Sequence, residues 1–351
     1  MKLSLVSVKI VTAVVVFLVV GLVSGIFLSP VVMPPPRPEV VSIKFLLDWA
    51  VGAPNSPFVV ALEKGYFAQE GLAVIMDRGY GSADTIAKVA AGAYQMGYAS
   101  LDTLIEFNVK NPGKELIGVY VVLNSAPHTV FTLKGRGINS PKDLELKKIG
   151  APEGQATRRL FPAFAKATGI DPAKIEWVSI APALREPALV KGDVDAITAF
   201  YSDLPILITL NVDPNRIVAF KYKDYGVDLY GNTIVVRKDF MQSNPEAVKK
   251  FIKAVNRAMK EVITDPEKTV DYLKQRDPLV NKSLEIQKLR IVLGDNVVTE
   301  EVRRIGLGAV DRTRLEKTIQ IIVDAFNLPR TPSPDEIFTE KFLPPREERT
   351  I

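Results

Sequence analysis

KVAAGAYQMGYA (Lys88–Ala99) can be laid over ALVKGDVDAITA (Ala188–Ala199), one hundred residues further along the chain. In each stretch a helical run stops at a glycine, Gly92 or Gly192, and a short strand-like run follows. Glycine is the residue that most readily takes the left-handed conformation closing a helix. Any α/β protein contains such joints singly. Two on one plan, separated by the length of a lobe, read as paired α/β lobes with a cleft between them.

The flanking sequence fits that reading. VSIKFLL (Val41–Leu47) is strand-like, Pro57–Gln69 reads as a helix ending near Gly71, and AVIMD follows as a strand. Ser82–Ala91 is helical and leads into YQMGYA. A second series starts near Lys148, with helices expected over 156–168 and 183–191 and strands over 175–180 and 194–199. Strands alternating with helices of this length predict largely parallel sheets covered on both faces. A long helix from Asn244 to Thr264 opens a helical C-terminal third, and the Pro- and charge-rich end from Leu328 is expected to wrap the surface.

The N-terminal stretch differs from the rest. Lys2 and Lys9 are followed by no charge until Arg37, and Ile10–Ser29 is almost wholly apolar. That is about the twenty residues a membrane-spanning helix needs, and lysines on its N-terminal side alone orient the remainder outward. The expectation is an exported protein, with 1–32 a cleaved signal or a retained membrane anchor and 33–40 a stiff Pro-rich linker. Beyond it, 41–124 and 232–335 are expected to build one lobe, 125–231 the other, and 336–351 a tail. The 351 residues contain no cysteine, which leaves out thiolate metal sites and redox thiols. The net charge of +5 is spread over interleaved signs, without the basic stripe of a nucleic-acid binder.

In open α/β sheets ligands bind at the carboxyl ends of strands, where helix N-termini offer free N–H groups. Four loops qualify: Asp48–Asn55, Gly79–Asp84, Ala99–Asp102 and Pro152–Thr157. From them come the candidate ligand contacts Asp48, Trp49, Asn55, Tyr80, Ser82, Ser100, Glu153, Gln155 and Thr157. Ser82 and Ser100 also suit helix N-caps. Arg185, at another helix start, is a candidate counter-charge for an anion, and Tyr201 a second aromatic face opposite Trp49. Asp48 and Glu153 would accept from ring N–H or amino groups, which favours a planar heterocycle, with an anionic group, over nitrate or an alkyl sulfonate. There is one histidine, His128, and no nucleophile elbow, zinc spacing or phosphate loop, so neither catalytic residues, a metal nor a cofactor is expected.

LLDW (Leu46–Trp49), FVVALEKGYFAQEGL (Phe58–Leu72) and GYGSADTIAKVAAG (Gly79–Gly92) resemble the binding proteins grouped with nitrate, sulfonate and taurine importers. They are most similar to the pyrimidine-related branch, which also contains thiamine-pyrimidine synthases. KDLELKKIGAPEG, KGDVDAI and NPEAVKKFIKA extend the resemblance over about residues 41 to 265. It implies a type II periplasmic binding protein, with two α/β lobes joined by crossings near Gly118–Leu133 and Gly231–Arg237. It also implies a small-molecule receptor that closes around its ligand and docks on the permease and ATPase of an ABC importer. The synthases carry a histidine in the loop after LDW and a cysteine cluster. This chain has Asn55 at the apparent histidine position and no cysteine, which argues against an enzyme. An anion-binding receptor and an extracytoplasmic sensor module stand as alternatives.

Overall fold

The computed structural model describes residues 40–351. The expected signal or anchor over 1–32 and most of the Pro-rich linker lie outside the described residues.

The first sheet is built from β1 (Val41–Leu46), β2 (Leu72–Asp77), β3 (Met96–Ser100) and β4 (Leu116–Val121). The second contains β5 (His128–Leu133), β6 (Lys148–Ala151), β7 (Glu176–Ser179), β8 (Ala196–Phe200) and β9 (Ile217–Lys221). The chain then returns to the first sheet with β10 (Asn232–Arg237). Strand orders are β2-β1-β3-β10-β4 and β7-β6-β8-β5-β9.

These sheets are mixed, where largely parallel ones were expected. β2-β1-β3 and β7-β6-β8 are parallel runs, but β10 lies antiparallel to β3 and β4, and β5 antiparallel to β8 and β9. The reason is the route of the chain. A strand that follows a crossing starts at the face between the sheets, and so runs against strands that end there. The crossings occupy 122–127 and 222–231. The second lies before the expected Gly231–Arg237 stretch, which is almost entirely β10.

The main helices are α1 (Ser56–Glu63), α2 (Ser82–Ala90), α3 (Leu101–Lys110), α4 (Ala156–Thr168), α5 (Arg185–Lys191), α6 (Pro245–Thr264), α7 (Pro266–Arg276), α8 (Lys282–Val292) and α9 (Arg312–Phe326). The sequence echo is structural. α2 leads through Gly92 (φ +84°) into β3, and α5 through Gly192 (φ +89°) into β8. β3 and β8 hold the same place, each between a parallel neighbour and the antiparallel strand that follows a crossing, β10 or β5.

One apolar core lies under α1 and α6, with Phe45, Phe58, Phe67 and Phe251 packed ring against ring. A second joins the lobes. Leu104 and Ile105 of α3, Leu160 and Phe164 of α4, and Leu315, Ile319 and Ile322 of α9 share it. The outer edge of β4 is covered by two C-terminal segments, Phe338 bridging Gly118 and Gly308 bridging Val121, and the buried Arg349 ties the tail to the second of them through the carbonyls of Ile305 and Leu307. Covering an edge in this way removes a template for strand addition.

Candidate functional site

Between the lobes, at the carboxyl ends of β1, β3, β6 and β8, lies a cavity of about 240 Å³. One wall is the loop from Asp48 to Asn55 with Gly81 and Ser82; the other is Gln155, Ala156, Arg185, Phe200 and Asp203. Glu285 and Lys288 of α8 complete it. The lobes meet at its rim. A Cβ on Gly81 would sit 2.4 Å from the Gly154 carbonyl oxygen, and the Ala83 amide donates to that oxygen at 3.4 Å.

Asp48 follows β1 directly and is 6 % exposed. Its Oδ2 accepts from Asn232 Nδ2 at 2.6 Å. Burial pushes the carboxyl up to about 7, against the lowering effect of the Asn232 bond. Trp49 stands beside it, with the Arg185 guanidinium 5.7 Å from its ring across the cleft. Asn55 shapes this loop with its amide, accepting from Gly52 N at 2.8 Å and donating to Ala50 O at 3.2 Å.

Ser82 opens α2, but Gly81 holds the N-cap position and the Ser82 hydroxyl accepts from Ser100 N at 3.0 Å. Gln155 is spoken for by β8: it donates to Thr198 O at 3.0 Å and accepts from the Thr198 hydroxyl at 2.6 Å. It therefore lines the cavity with a locked amide.

The remaining candidates lie elsewhere. Ser100 occupies the N-cap position of α3, where its hydroxyl donates to Asp102 Oδ2 at 2.7 Å. Asp102 Oδ2 also meets His128 Nε2 at 2.9 Å, and His128 Nδ1 meets the Thr157 hydroxyl at 2.9 Å. All four are buried beneath the cavity wall, so Ser100 and Thr157 face a polar chain linking the lobes. Glu153 is exposed and accepts from Ser179. Tyr80 is 55 % exposed under the Arg78 guanidinium. Tyr201 turns its ring to Lys221, whose ammonium lies 3.4 Å from the centroid. Neither Tyr80 nor Tyr201 lines the cavity opposite Trp49. The aromatic that lines the second wall is Phe200, since neighbouring residues of an extended chain point to opposite sides.

Phe200, Asp203, Glu285 and Lys288 were not among the candidates from sequence. Arg185 donates to Glu186 and to Asp203 Oδ2, the latter at 2.7 Å. Lys288 lies 3.3 Å from both Asp203 and Glu285, and Glu285 also accepts from Ala53 N at 2.6 Å. Burial works against the Lys288 charge, yet Asp203 and Glu285 hold its ammonium above the ordinary range. Burial would raise Asp203, but Lys288 and Arg185 hold it below the usual carboxylate range. Both cations of the cavity are thus already matched by acids. The reading of Arg185 as a free counter-charge does not hold in this geometry.

Two α/β lobes joined by two crossings and closed over a small cavity at their strand ends define the type II periplasmic binding fold of solute-binding proteins. The chain belongs to the NMT1/THI5 like family, which it matches over residues 54–269. It is 24 % identical over 235 residues to the formylaminopyrimidine-binding protein of Halalkalibacterium halodurans, covering 66 % of this chain and 69 % of the relative. It is 22 % identical over 317 residues to the 4-amino-5-hydroxymethyl-2-methylpyrimidine phosphate synthase of Legionella pneumophila, covering 86 % and 92 %. In structure it resembles the alkanesulfonate-binding protein SsuA of Xanthomonas axonopodis pv. citri, with TM-score 0.66 and 14 % identity over 86 % of this chain and 99 % of that one.

Proposed function

We propose that the chain is the extracytoplasmic receptor of an ABC importer, and that its solute is a small planar heterocycle presenting amino or ring N–H groups. The observation that carries this reading is the pairing of charge in the cavity. Arg185 and Lys288 are matched by Asp203, Glu186 and Glu285, while the side chains that hydrogen-bond Asp48 are the neutral Asn232 and Ser82. An oxyanion would have to displace a buried acid from its cation, whereas a donor edge finds the Asp48 carboxyl ready to accept. This replaces the expected anionic group with a neutral or cationic one. Trp49 and Phe200 supply apolar faces on opposite walls, the natural setting for a flat ring.

Thermal-shift measurements with formylaminopyrimidine, other aminopyrimidines, alkyl sulfonates and nitrate test the reading. Aminopyrimidines are expected to raise the melting temperature, and stabilisation by oxyanions alone would sink it. Trp49→Ala should weaken the stabilising compound between about twofold and tenfold, from the ~0.5–1.5 kcal/mol of ring stacking, with the fold intact by circular dichroism.

The relatives named as synthases support a second reading, a pyrimidine-forming enzyme. Against it stand Asn55 at the loop position where the synthases are expected to carry histidine, and the chain's single histidine, His128, buried outside the cavity at 1 % exposure. Formation of a pyrimidine phosphate by the purified protein would favour the synthase.

A further inference from the structure

β1, β3 and β10 are neighbours in the first sheet, and their ends gather at the cleft because β10 runs antiparallel to β3. This places Asn232, the first residue of β10, opposite Ser100 and within reach of Asp48. Its side-chain amide donates to Asp48 Oδ2 at 2.6 Å. Its backbone oxygen accepts from Val122 N at 2.9 Å and Leu123 N at 3.1 Å, the first residues of the outward crossing. Asn232 directly follows the return crossing, whose last residue, Gly231, donates to Leu123 O at 2.9 Å. One residue therefore touches the carboxyl that faces the cavity and both segments that must bend for the lobes to move. We propose that Asn232 is a positioning residue that transmits the state of the Asp48 carboxyl, and hence occupancy of the cavity, to the two crossings.

A second observation supports this. Asn232 is fully buried, and its Oδ1 has no hydrogen-bond partner. When Asp48 is ionised, the amide donates to it. When Asp48 is protonated, or gives its lone pairs to a ligand donor, rotation of the amide brings that unpartnered oxygen into play. The amide thus has two arrangements at one place, and the backbone to which it is attached anchors the hinge. The inference rests on the reading of this cavity as the solute site, and it is tested without the solute.

The titratable groups around Asp48 are Tyr98 of β3, Glu285 and Lys288 of α8, and Arg185 and Asp203 of the other lobe, with His128 beyond Ser100 and Asp102. Asp203 is held below its ordinary value and Lys288 and Arg185 above theirs, which keeps these three charged, while burial raises Tyr98 and keeps its phenol neutral; of the carboxyls Asp48, Asp102 and Asp203, only Asp48 is raised. In the full, ligand-free chain, the Asp48 carboxyl carbon and the Val122 and Leu123 amides can be followed by NMR from about pH 5 to about pH 9. The amides are expected to shift with the same midpoint as the carboxyl, about 7. Asp48→Asn, close to isosteric, should abolish that component. Asn232→Ala should silence the two amides while the Asp48 carboxyl still titrates, with its midpoint raised by loss of the donated bond. A role confined to the Asp48 bond would raise that midpoint and leave the two amides responding.

Wild-type amides that stay still while Asp48 titrates would overturn the proposal, as would an undiminished response in Asn232→Ala. If Asn232→Ala does not fold, Asp48→Asn decides: amides that still shift with the wild-type midpoint in that variant overturn the coupling. Failure of formylaminopyrimidine to bind would count against the ligand reading and leave these outcomes unchanged.

Discussion

Asp48 is a carboxyl placed where a carboxyl is expensive. Its ordinary value of 3.8 becomes about 7 in the folded protein, mainly through burial. Between those values the folded form holds a proton that the unfolded form has lost. Stability therefore falls as pH rises from about 4 to about 7 and is level above. At about 1.4 kcal/mol per unit the full effect approaches ~4 kcal/mol. Asp48→Asn should accordingly stabilise the ligand-free protein by about 2–4 kcal/mol at pH 8, with the gain disappearing below about pH 4. Urea unfolding at the two pH values measures this. The same variant should bind an amino-bearing ligand at least tenfold more weakly, a trade of stability for recognition seen at many binding sites. A melting midpoint equal to that of wild type at pH 8 would show that the carboxyl carries no such burden. At this scale the sequence was partly legible. Asp48, Trp49, Asn55, Ser82, Gln155 and Arg185 follow from where strands end and helices begin, and all line the cavity. Tyr201 was displaced by Phe200 because one step along an extended chain reverses the side, a register no composition reveals. Glu285 and Lys288 were invisible because nothing in KSLEIQKLRIV says which lobe its helix will meet.

At the level of elements, the rim between α2 and α4 is the place where closure is most easily blocked. Gly81 has φ +130°, a conformation that side-chain-bearing residues rarely take, and it abuts the Gly154 carbonyl. Gly81→Ala should lower affinity for the stabilising ligand at least tenfold, or about 1.4 kcal/mol, by holding the lobes apart. A Cβ on Gly154 would meet nothing nearer than 3.7 Å, so Gly154→Ala should bind within about twofold of wild type. Calorimetric titration of the two variants compares them, and equal losses would mean that the rim is not the limiting contact. The alternation of strands and helices, and the glycine that ends α2 and α5, were readable in advance. The reversed direction of β5 and β10 was not, because apolar runs carry no sign of which way the chain enters a sheet.

For the whole molecule, two kinds of contact join the lobes. At the rear, α9 packs on both α3 and α4 with an apolar face. Across the mouth, the Lys288–Asp203 pair and the Gly81–Gly154 contact span the cleft. Apolar packing tolerates small rotations, while a 3.3 Å ion pair does not survive separation of its partners. The motion expected is opening at the mouth about a rear hinge. Small-angle scattering should therefore show a larger radius of gyration for ligand-free Lys288→Met than for wild type, and a decrease for both on adding a stabilising ligand. Profiles that coincide in all four states would indicate a rigid pair of lobes.

The interleaving of β10 between β3 and β4 also fixes an order of assembly. The second sheet is complete once residue 221 has been made, whereas the first keeps a gap at its centre until residue 237 has followed. A nascent chain paused between those points would hold one finished sheet and one whose middle hydrogen bonds are unmade. The lobe begun first is thus the lobe finished last. A chaperone or protease that meets the growing polypeptide would find its exposed strand edges in the N-terminal half, until the C-terminal half arrives to fill them.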